Sequence, residues 1–252
     1  MISETIKRGD SMGKVIFIHG AWHGGWCWDR VAKLLVLQGH EVEAPDLPAQ
    51  GNDTTPIQDV TLDSYVNRIC EVLDRQKEPV ILVAHSMGGI SVTQAAEFRP
   101  DKIRALVYVT AFLPRNGESL GTLNENAGVS AVAQNMVFSD DFSSATIRED
   151  ALKDLFYNDC SDQDIEYAQS LLRPIPTSTT QATVQTSEEN FERIPRIYVE
   201  CLQDHTIPPH MQKMMIEATP CKKVYTLDSS HSPFLSMPEK LAAILAEVAR
   251  SD

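Results

Sequence analysis

The sequence predicts an α/β protein built on one mostly parallel β-sheet with helices on both faces. Short apolar, β-branched runs alternate along the chain with longer stretches whose apolar residues recur at helical spacing. The runs are continuously apolar instead of alternating with polar residues, as expected for strands that are buried on both faces. Strands and helices that alternate in this way predict a parallel sheet between two helix layers.

Six apolar runs are the candidate strands, and helical patterns fill most of the gaps between them. The runs are residues 15–18, 42–44, 80–83, 106–109, 197–199 and 224–227. The clearest helical patterns run through Val31, Leu34 and Leu35, through Tyr65, Ile69, Val72 and Leu73, and through Leu241, Ile244, Leu245 and Val248. A chain of 252 residues can bury one large core, so we expect a single domain with a decoration.

The alternation stops after Pro114, where a long segment rich in Asn, Ser, Thr, Asp and Glu begins. The segment is too long for one plain loop. Two helices are predicted inside it, one through Ile147, Ala151, Leu152 and Leu155 that Thr146 and Glu149 could begin, and one through Ile165, Ala168 and Leu172. We therefore expect a helical cap over residues 114–190, inserted into a core of residues 1–113 and 191–252.

The charge and the cysteines limit the partners. With 35 acidic and 22 basic residues the net charge is −13, which disfavours nucleic acid and anionic membranes as partners. The acidic stretch at residues 139–166 is either a solvated helical face or a surface that repels anionic ligands. Five cysteines without close pairs fit a reducing compartment, and the apolar run 15–18 is too short for a signal peptide or a membrane span. We expect a soluble, cytoplasmic protein; its oligomeric state is open, with a homodimer as one alternative.

Ser86 lies where a predicted strand turns into a helix. The apolar residues 79–83 come before the sequence Ala-His-Ser-Met-Gly at 84–88, and a helix-like stretch follows it. Such an elbow holds its central residue in a strained conformation, which small flanking residues tolerate, and it lifts the hydroxyl clear of the sheet. Such elbows usually have Gly two residues before and two residues after the serine. Here the second is Gly88, and Ala84 stands in place of the first. Ser86 is therefore the candidate nucleophile, the alternative being a chance serine in a connection.

A serine hydroxyl attacks a carbonyl only if a neighbouring base takes its proton. His231 is the candidate base, because it stands alone in a loop between the last strand and the last helix; the alternative is an ordinary loop histidine. A carboxylate must orient the imidazole, and Asp204, which follows the strand at 197, gives the chain order Ser, Asp, His. Asp228 is the alternative, although it would have to fold back within one loop.

The oxyanion of the reaction needs hydrogen-bond donors that already point at it. The N–H of Met87, next to the nucleophile, is one candidate, and the N–H of Ala21, after the first strand, is the other. Gly20 allows the chain to turn there. A phosphate-binding loop is the alternative for this segment, but it lacks the Gly-Lys-Ser/Thr ending. The predicted chemistry requires no metal and no organic cofactor.

Several motifs resemble the α/β-hydrolase group that contains plant methyl-ester esterases and hydroxynitrile lyases. They are Val-Ile-Phe-Ile-His-Gly-Ala-Trp-His-Gly-Gly-Trp at 15–26, Gly-His-Glu-Val at 39–42, Ala-Pro-Asp-Leu at 44–47 and the segments 80–89, 196–208 and 231–245. The cap is largely unmatched. The resemblance implies an α/β-hydrolase fold with an inserted cap, and it places Ser86, Asp204 and His231 on the triad of the group and Ala21 and Met87 on its oxyanion donors.

Three positions distinguish the two branches of this group. The lyases that resemble the sequence carry Lys after the catalytic histidine, Thr at the position of Gly20 and Glu before the nucleophile. This chain has Ser232, Gly20 and His85 there. The resemblance therefore favours the esterase branch.

The sequence predicts a cofactor-independent carboxylesterase whose partner is a small-molecule ester. Gly20, His85, Phe112 and Leu113 are the candidate substrate-binding residues, and small or aromatic esters, methyl esters among them, are the expected substrates. Lyase or C–C bond-cleaving chemistry on the same frame is one alternative. A small-ligand sensor with weak hydrolysis is another.

Overall fold

The computed structural model describes residues 13–128 and 130–251, and its strands form two sheets. The strands are β1 (Val15–Ile18), β2 (Val42–Glu43), β3 (Val80–Ser86), β4 (Ile103–Ala111), β5 (Met136–Phe138), β6 (Ser144–Ile147), β7 (Ile175–Pro176), β8 (Arg196–Cys201) and β9 (Lys223–Leu227). Six of them form a sheet in the order β2-β1-β3-β4-β8-β9, in which every neighbouring pair is parallel. Each predicted strand is present, so the parallel sheet is confirmed.

Helices cover this sheet in two layers. They are α1 (Asp29–Leu37), α2 (Leu62–Asp74), α3 (Gly88–Phe98), α4 (Leu120–Ala127), α5 (Ala131–Gln134), α6 (Glu149–Phe156), α7 (Asp162–Leu171), α8 (Pro209–Ala218), α9 (Pro233–Ser236) and α10 (Pro238–Arg250). Helix α1 packs against α10, and α2 packs against α3. Every residue of β3 is buried, which explains why the strand runs are continuously apolar. No helix in the described part of the chain is long and apolar enough to cross a membrane.

The segment between β4 and β8 contains helices α4 to α7 and a second sheet that the sequence did not predict. Strands β5, β6 and β7 form this antiparallel sheet in that order. The prediction that Thr146 begins a helix was wrong, because Thr146 and Ile147 lie on β6, where they pair with Val137 and Met136. A purely helical cap is therefore corrected to a mixed one. Its limits at residues 114 and 190 stay a prediction.

Candidate active site

Ser86 is the last residue of β3, and α3 begins two residues later at Gly88. Its backbone has a φ of 52°, in the left-handed region that costs energy for a residue with a side chain. A Cβ on Gly88 would lie 2.6 Å from the carbonyl oxygen of His19, and one on Gly89 would lie 2.0 Å from that of Phe112. The turn therefore needs both glycines; the sequence analysis singled out only the first.

Asp204 and His231 form a buried pair in the loops after β8 and β9. Nδ1 of His231 lies 2.7 Å from Oδ2 of Asp204, and both residues are about 1% exposed. The other oxygen of Asp204 accepts from the N–H groups of Thr206 and Ile207, at 2.6 and 2.9 Å. Since the carboxylate is an acceptor, Nδ1 of His231 donates to it, and in the neutral ring Nε2 keeps its lone pair. The pair has the arrangement of a base held in one tautomer.

Asp228, the alternative acid, does not hold this histidine. Its side chain is exposed, and its Oδ1 accepts from Nε2 of Gln203 at 2.9 Å. The structure brings Asp204 to His231 because β8 ends beside β9, so the loops after the two strands meet at one edge of the sheet.

Thr110 is a partner of the acid that the sequence analysis missed. It lies near the end of β4, has a positive φ of 35° and donates its hydroxyl to Oδ2 of Asp204. Asp204 thus accepts three hydrogen bonds besides the one from His231, and together these fix the plane of its carboxylate. A threonine within an apolar strand carries no sequence signal for such a contact.

A small apolar cavity opens above Ser86. It measures about 70 Å³, and Ala21 and Met87, the two predicted oxyanion donors, line it together with Ser86. Its other walls come from Trp22, Phe112, Leu120, Asn124, Ser130, Val132, Ala133, Met136, Ile175, Thr180 and Thr206. The segment between β4 and β8 therefore supplies most of the wall that a substrate would meet.

Only one of the four predicted substrate-binding residues lies in this wall, and it is Phe112. Leu113 is buried behind it, with its N–H 3.4 Å from Sδ of Met215. His85 lies beneath the site and donates from Nε2 to the carbonyl oxygen of His231 at 2.8 Å. Gly20 lies close to Ser86 and His85. Leu113, His85 and Gly20 do not line this cavity, and a substrate-binding role for them stays a prediction. A side chain in a buried strand or turn can support a site without lining it.

Gly20 leaves room for the side chain of Ser86. A Cβ at this position would lie 2.6 Å from Cβ of Ser86 and 3.0 Å from Nδ1 of His85. We expect Gly20→Ala to push Ser86 aside and to lower kcat by about 10- to 100-fold, as small misplacements of reacting groups do. Kinetics on a short-chain ester would measure the loss. Gly13→Ala is the control, because its Cβ would come closest to the flexible guanidinium of Arg104, at 2.8 Å, and would be 3.4 Å from the carbonyl oxygen of Ala249, an ordinary contact. Equal activity of the two variants would contradict the prediction.

Three histidines around the site are buried in neutral form. Burial lowers the pKa of His23 from its usual 6.5 to about 3, and it lowers the pKa of His85 and His19 as well. Each ring therefore takes up a proton more readily in the unfolded chain than in the folded protein.

This difference in proton uptake predicts instability in acid. Because the folded-state pKa is the lower one, the full stability is present above about pH 6.5 and is lost as the pH falls towards the folded-state pKa. Each ring adds up to about 1.4 kcal/mol per pH unit to the slope of the free energy of unfolding. Urea unfolding between pH 4.5 and 7.5 would measure it, with His23→Asn expected to flatten the slope. A free energy of unfolding that stays constant as the pH is lowered from 7.5 to 4.5 would refute the predicted acid instability.

Known proteins share this architecture. The sequence profile of the alpha/beta hydrolase family matches residues 15–244. Methylesterase 7 of Arabidopsis thaliana is 34% identical over 250 residues, which cover 94% of this chain and 96% of that protein. The solved structure of an Arabidopsis methylesterase superposes with a TM-score of 0.83 at 27% identity, covering 93% of this chain and 98% of the other. For a pyrethroid hydrolase from Sphingobium faniae JZ-2 the TM-score is 0.86 at 29% identity, covering 95% and 98%. The chain therefore belongs to the alpha/beta hydrolase family, in the group that includes the plant methylesterases.

Proposed function

We propose that the protein hydrolyses carboxylic esters through an acyl-enzyme formed on Ser86, without a cofactor. Oγ of Ser86 attacks the ester carbonyl while Nε2 of His231 takes its proton, and Asp204 balances the imidazolium charge. The N–H groups of Ala21 and Met87 hold the oxyanion. His231 then protonates the departing alcohol, and water, activated by the same base, releases the acid and restores Ser86.

One observation carries this proposal. It is the buried Asp204–His231 pair, at 2.7 Å, together with a strained elbow that places Ser86 in the wall of an apolar cavity. The ring of His231 lies 4.5 Å from that of His85, the residue before Ser86. A buried carboxylate that orients an imidazole is the arrangement that general-base activation of a serine requires.

The proposed substrates are esters of small or aromatic acids, including methyl esters. The cavity above Ser86 has room for a small group only, and apolar side chains make up most of its wall. A methyl ester fits such a site, because its alcohol is a single carbon and its acyl group can lie against Phe112 and Met136. The names of the methylesterase relatives support the same substrate class.

This chain lacks two residues that distinguish the lyase branch, the lysine after the catalytic histidine and the threonine after the first strand. Ser232, which is buried, stands where the lyases have the lysine. Gly20 stands where they have the threonine, and a Cβ at this position would lie 2.6 Å from Cβ of Ser86. A cation that could stabilise a departing cyanide is therefore missing from position 232.

The test is a panel of substrates given to the purified native protein. It holds p-nitrophenyl acetate, butyrate and palmitate, methyl esters of aromatic acids, and mandelonitrile. We expect hydrolysis of the short-chain and methyl esters, little hydrolysis of palmitate, and no cyanide. Tight binding of an ester that is recovered unchanged would replace the proposal with a ligand sensor, and cyanide release would replace it with a lyase.

We also propose a cytoplasmic location. Its support is the set of five cysteines, all of which are free thiols, as is usual in a reducing compartment.

A further inference from the structure

A chain of two hydrogen bonds joins the segment between β4 and β8 to the backbone of Ala21. Nδ1 of His23 lies 2.7 Å from the carbonyl oxygen of Ala21, and Nε2 of the same ring lies 2.8 Å from the hydroxyl of Tyr157. Both side chains are almost fully buried, His23 at 1% and Tyr157 at 0% exposed. Tyr157 directly follows α6, so the contact spans two distant parts of the sequence.

The direction of both hydrogen bonds follows from the groups involved. A carbonyl oxygen only accepts, so Nδ1 of His23 carries the hydrogen and Nε2 carries a lone pair. The hydroxyl of Tyr157 therefore donates to Nε2. Burial holds the pKa of His23 at about 3 and raises that of Tyr157, so both groups stay neutral at ordinary pH and the arrangement is stable.

The other tautomer of His23 would turn two lone pairs towards each other. With the hydrogen on Nε2, the bare Nδ1 would face the carbonyl oxygen of Ala21 at the same distance. The Ala21 carbonyl, which can only accept, excludes this tautomer, and the Tyr157 hydroxyl, which can donate or accept, then donates to the bare Nε2. Tyr157 thus anchors the far side of the ring while Nδ1 donates to the Ala21 carbonyl.

The hydrogen bond from His23 to the Ala21 carbonyl matters because the backbone turns sharply at the next residue, Trp22. Trp22 has a φ of 63°. It is hydrogen-bonded to the segment between β4 and β8, which also carries Tyr157. Its Nε1 donates to the carbonyl of Ala145, and its backbone carbonyl accepts from the N–H of Arg173. The Ala21 carbonyl is held from the other side by His23. A strained turn keeps one geometry only where its surroundings hold it in this way.

We propose that Tyr157 is a positioning residue: by anchoring the ring of His23 it keeps the backbone of Ala21, whose N–H is the proposed oxyanion donor, in place. This inference rests on the proposed esterase function. Tyr157 itself does not line the cavity above Ser86. Its effect falls on the transition state, where the oxyanion exists, and not on the bound ester.

The test compares Tyr157→Phe with Tyr167→Phe, which removes a half-exposed hydroxyl from α7. Two constants are measured for a short-chain ester, kcat and KM, together with the affinity for a trifluoromethyl ketone, which places an oxyanion in the site. We expect Tyr157→Phe to lose about tenfold in kcat and in inhibitor affinity with KM unchanged within about twofold, since a donor is misaimed and not removed. Tyr167→Phe should match the native protein. A kcat for Tyr157→Phe within twofold of native would overturn the proposal.

A second set of variants keeps the test decisive if Tyr157→Phe does not fold. Asparagine at position 23 places an amide nitrogen where Nδ1 lies, so it can donate to Ala21 without help from Tyr157. We expect His23→Asn to keep more activity than His23→Leu, and Tyr157→Phe to cost nothing further in the His23→Asn protein. A full further loss in that double variant would overturn the proposal. Native protein that hydrolyses no ester would instead overturn the proposed function.

Discussion

Ser86→Ala is expected to lower kcat for short-chain esters by about 10⁴- to 10⁶-fold, as removal of a serine nucleophile does when its base and oxyanion donors remain. The variant loses the only atom that forms the acyl bond, while the elbow keeps its glycines. The substitution does not change the backbone strain of the elbow, because alanine and serine have the same energetic cost at a φ of 52°. Initial rates over a wide range of enzyme concentration would measure the loss.

The control for this variant is Ser91→Ala. Ser91 is buried on α3, five residues beyond the elbow, and does not line the cavity. It should keep native activity, and both variants should unfold at close to the native temperature. If Ser86→Ala retains a tenth or more of the native rate, another residue is the nucleophile.

Asp204→Asn is expected to lower kcat by about 10³- to 10⁴-fold with the fold intact. The N–H groups of Thr206 and Ile207 need an acceptor, so the asparagine oxygen turns to them and its amino group turns to His231. Nδ1 of His231 must then accept, which moves its hydrogen to Nε2. A protonated Nε2 cannot take the proton of Ser86.

Asp228→Asn is the matched control, since it makes the same chemical change in an exposed side chain bonded to Gln203. It should leave kcat and KM at the native values. Loss of activity in Asp228→Asn with retention in Asp204→Asn would contradict the assignment of the acid. Circular dichroism of both proteins would separate a catalytic loss from unfolding.

The sheet was predictable because its signal is local. Runs such as residues 80–83 are continuously apolar, and both faces of β3 are indeed buried. The place of Ser86 at a strand-to-helix turn was also readable, because the end of a buried run and the small residue Gly88 mark it. The match to the family agrees with the motifs that the sequence analysis found.

The contacts that hold the site were not predictable, because they join residues far apart in sequence. Thr110 lies 94 residues from Asp204, and Tyr157 lies 134 residues from His23. No periodicity or motif records such pairs. Strand β6 was missed for another reason: its four residues are too few to show an alternating pattern, and Ile147 also fits the helical spacing of α6.

The central claim is that Ser86 becomes acylated during ester hydrolysis, and labelling with a fluorophosphonate tests it most directly. This reagent forms a stable bond to a serine that is activated by a base, and mass spectrometry of the digested protein locates the adduct. The account predicts one adduct, on Ser86, with parallel loss of esterase activity and protection by a methyl ester of an aromatic acid. An adduct on a different residue, or full esterase activity in protein labelled at Ser86, would contradict it.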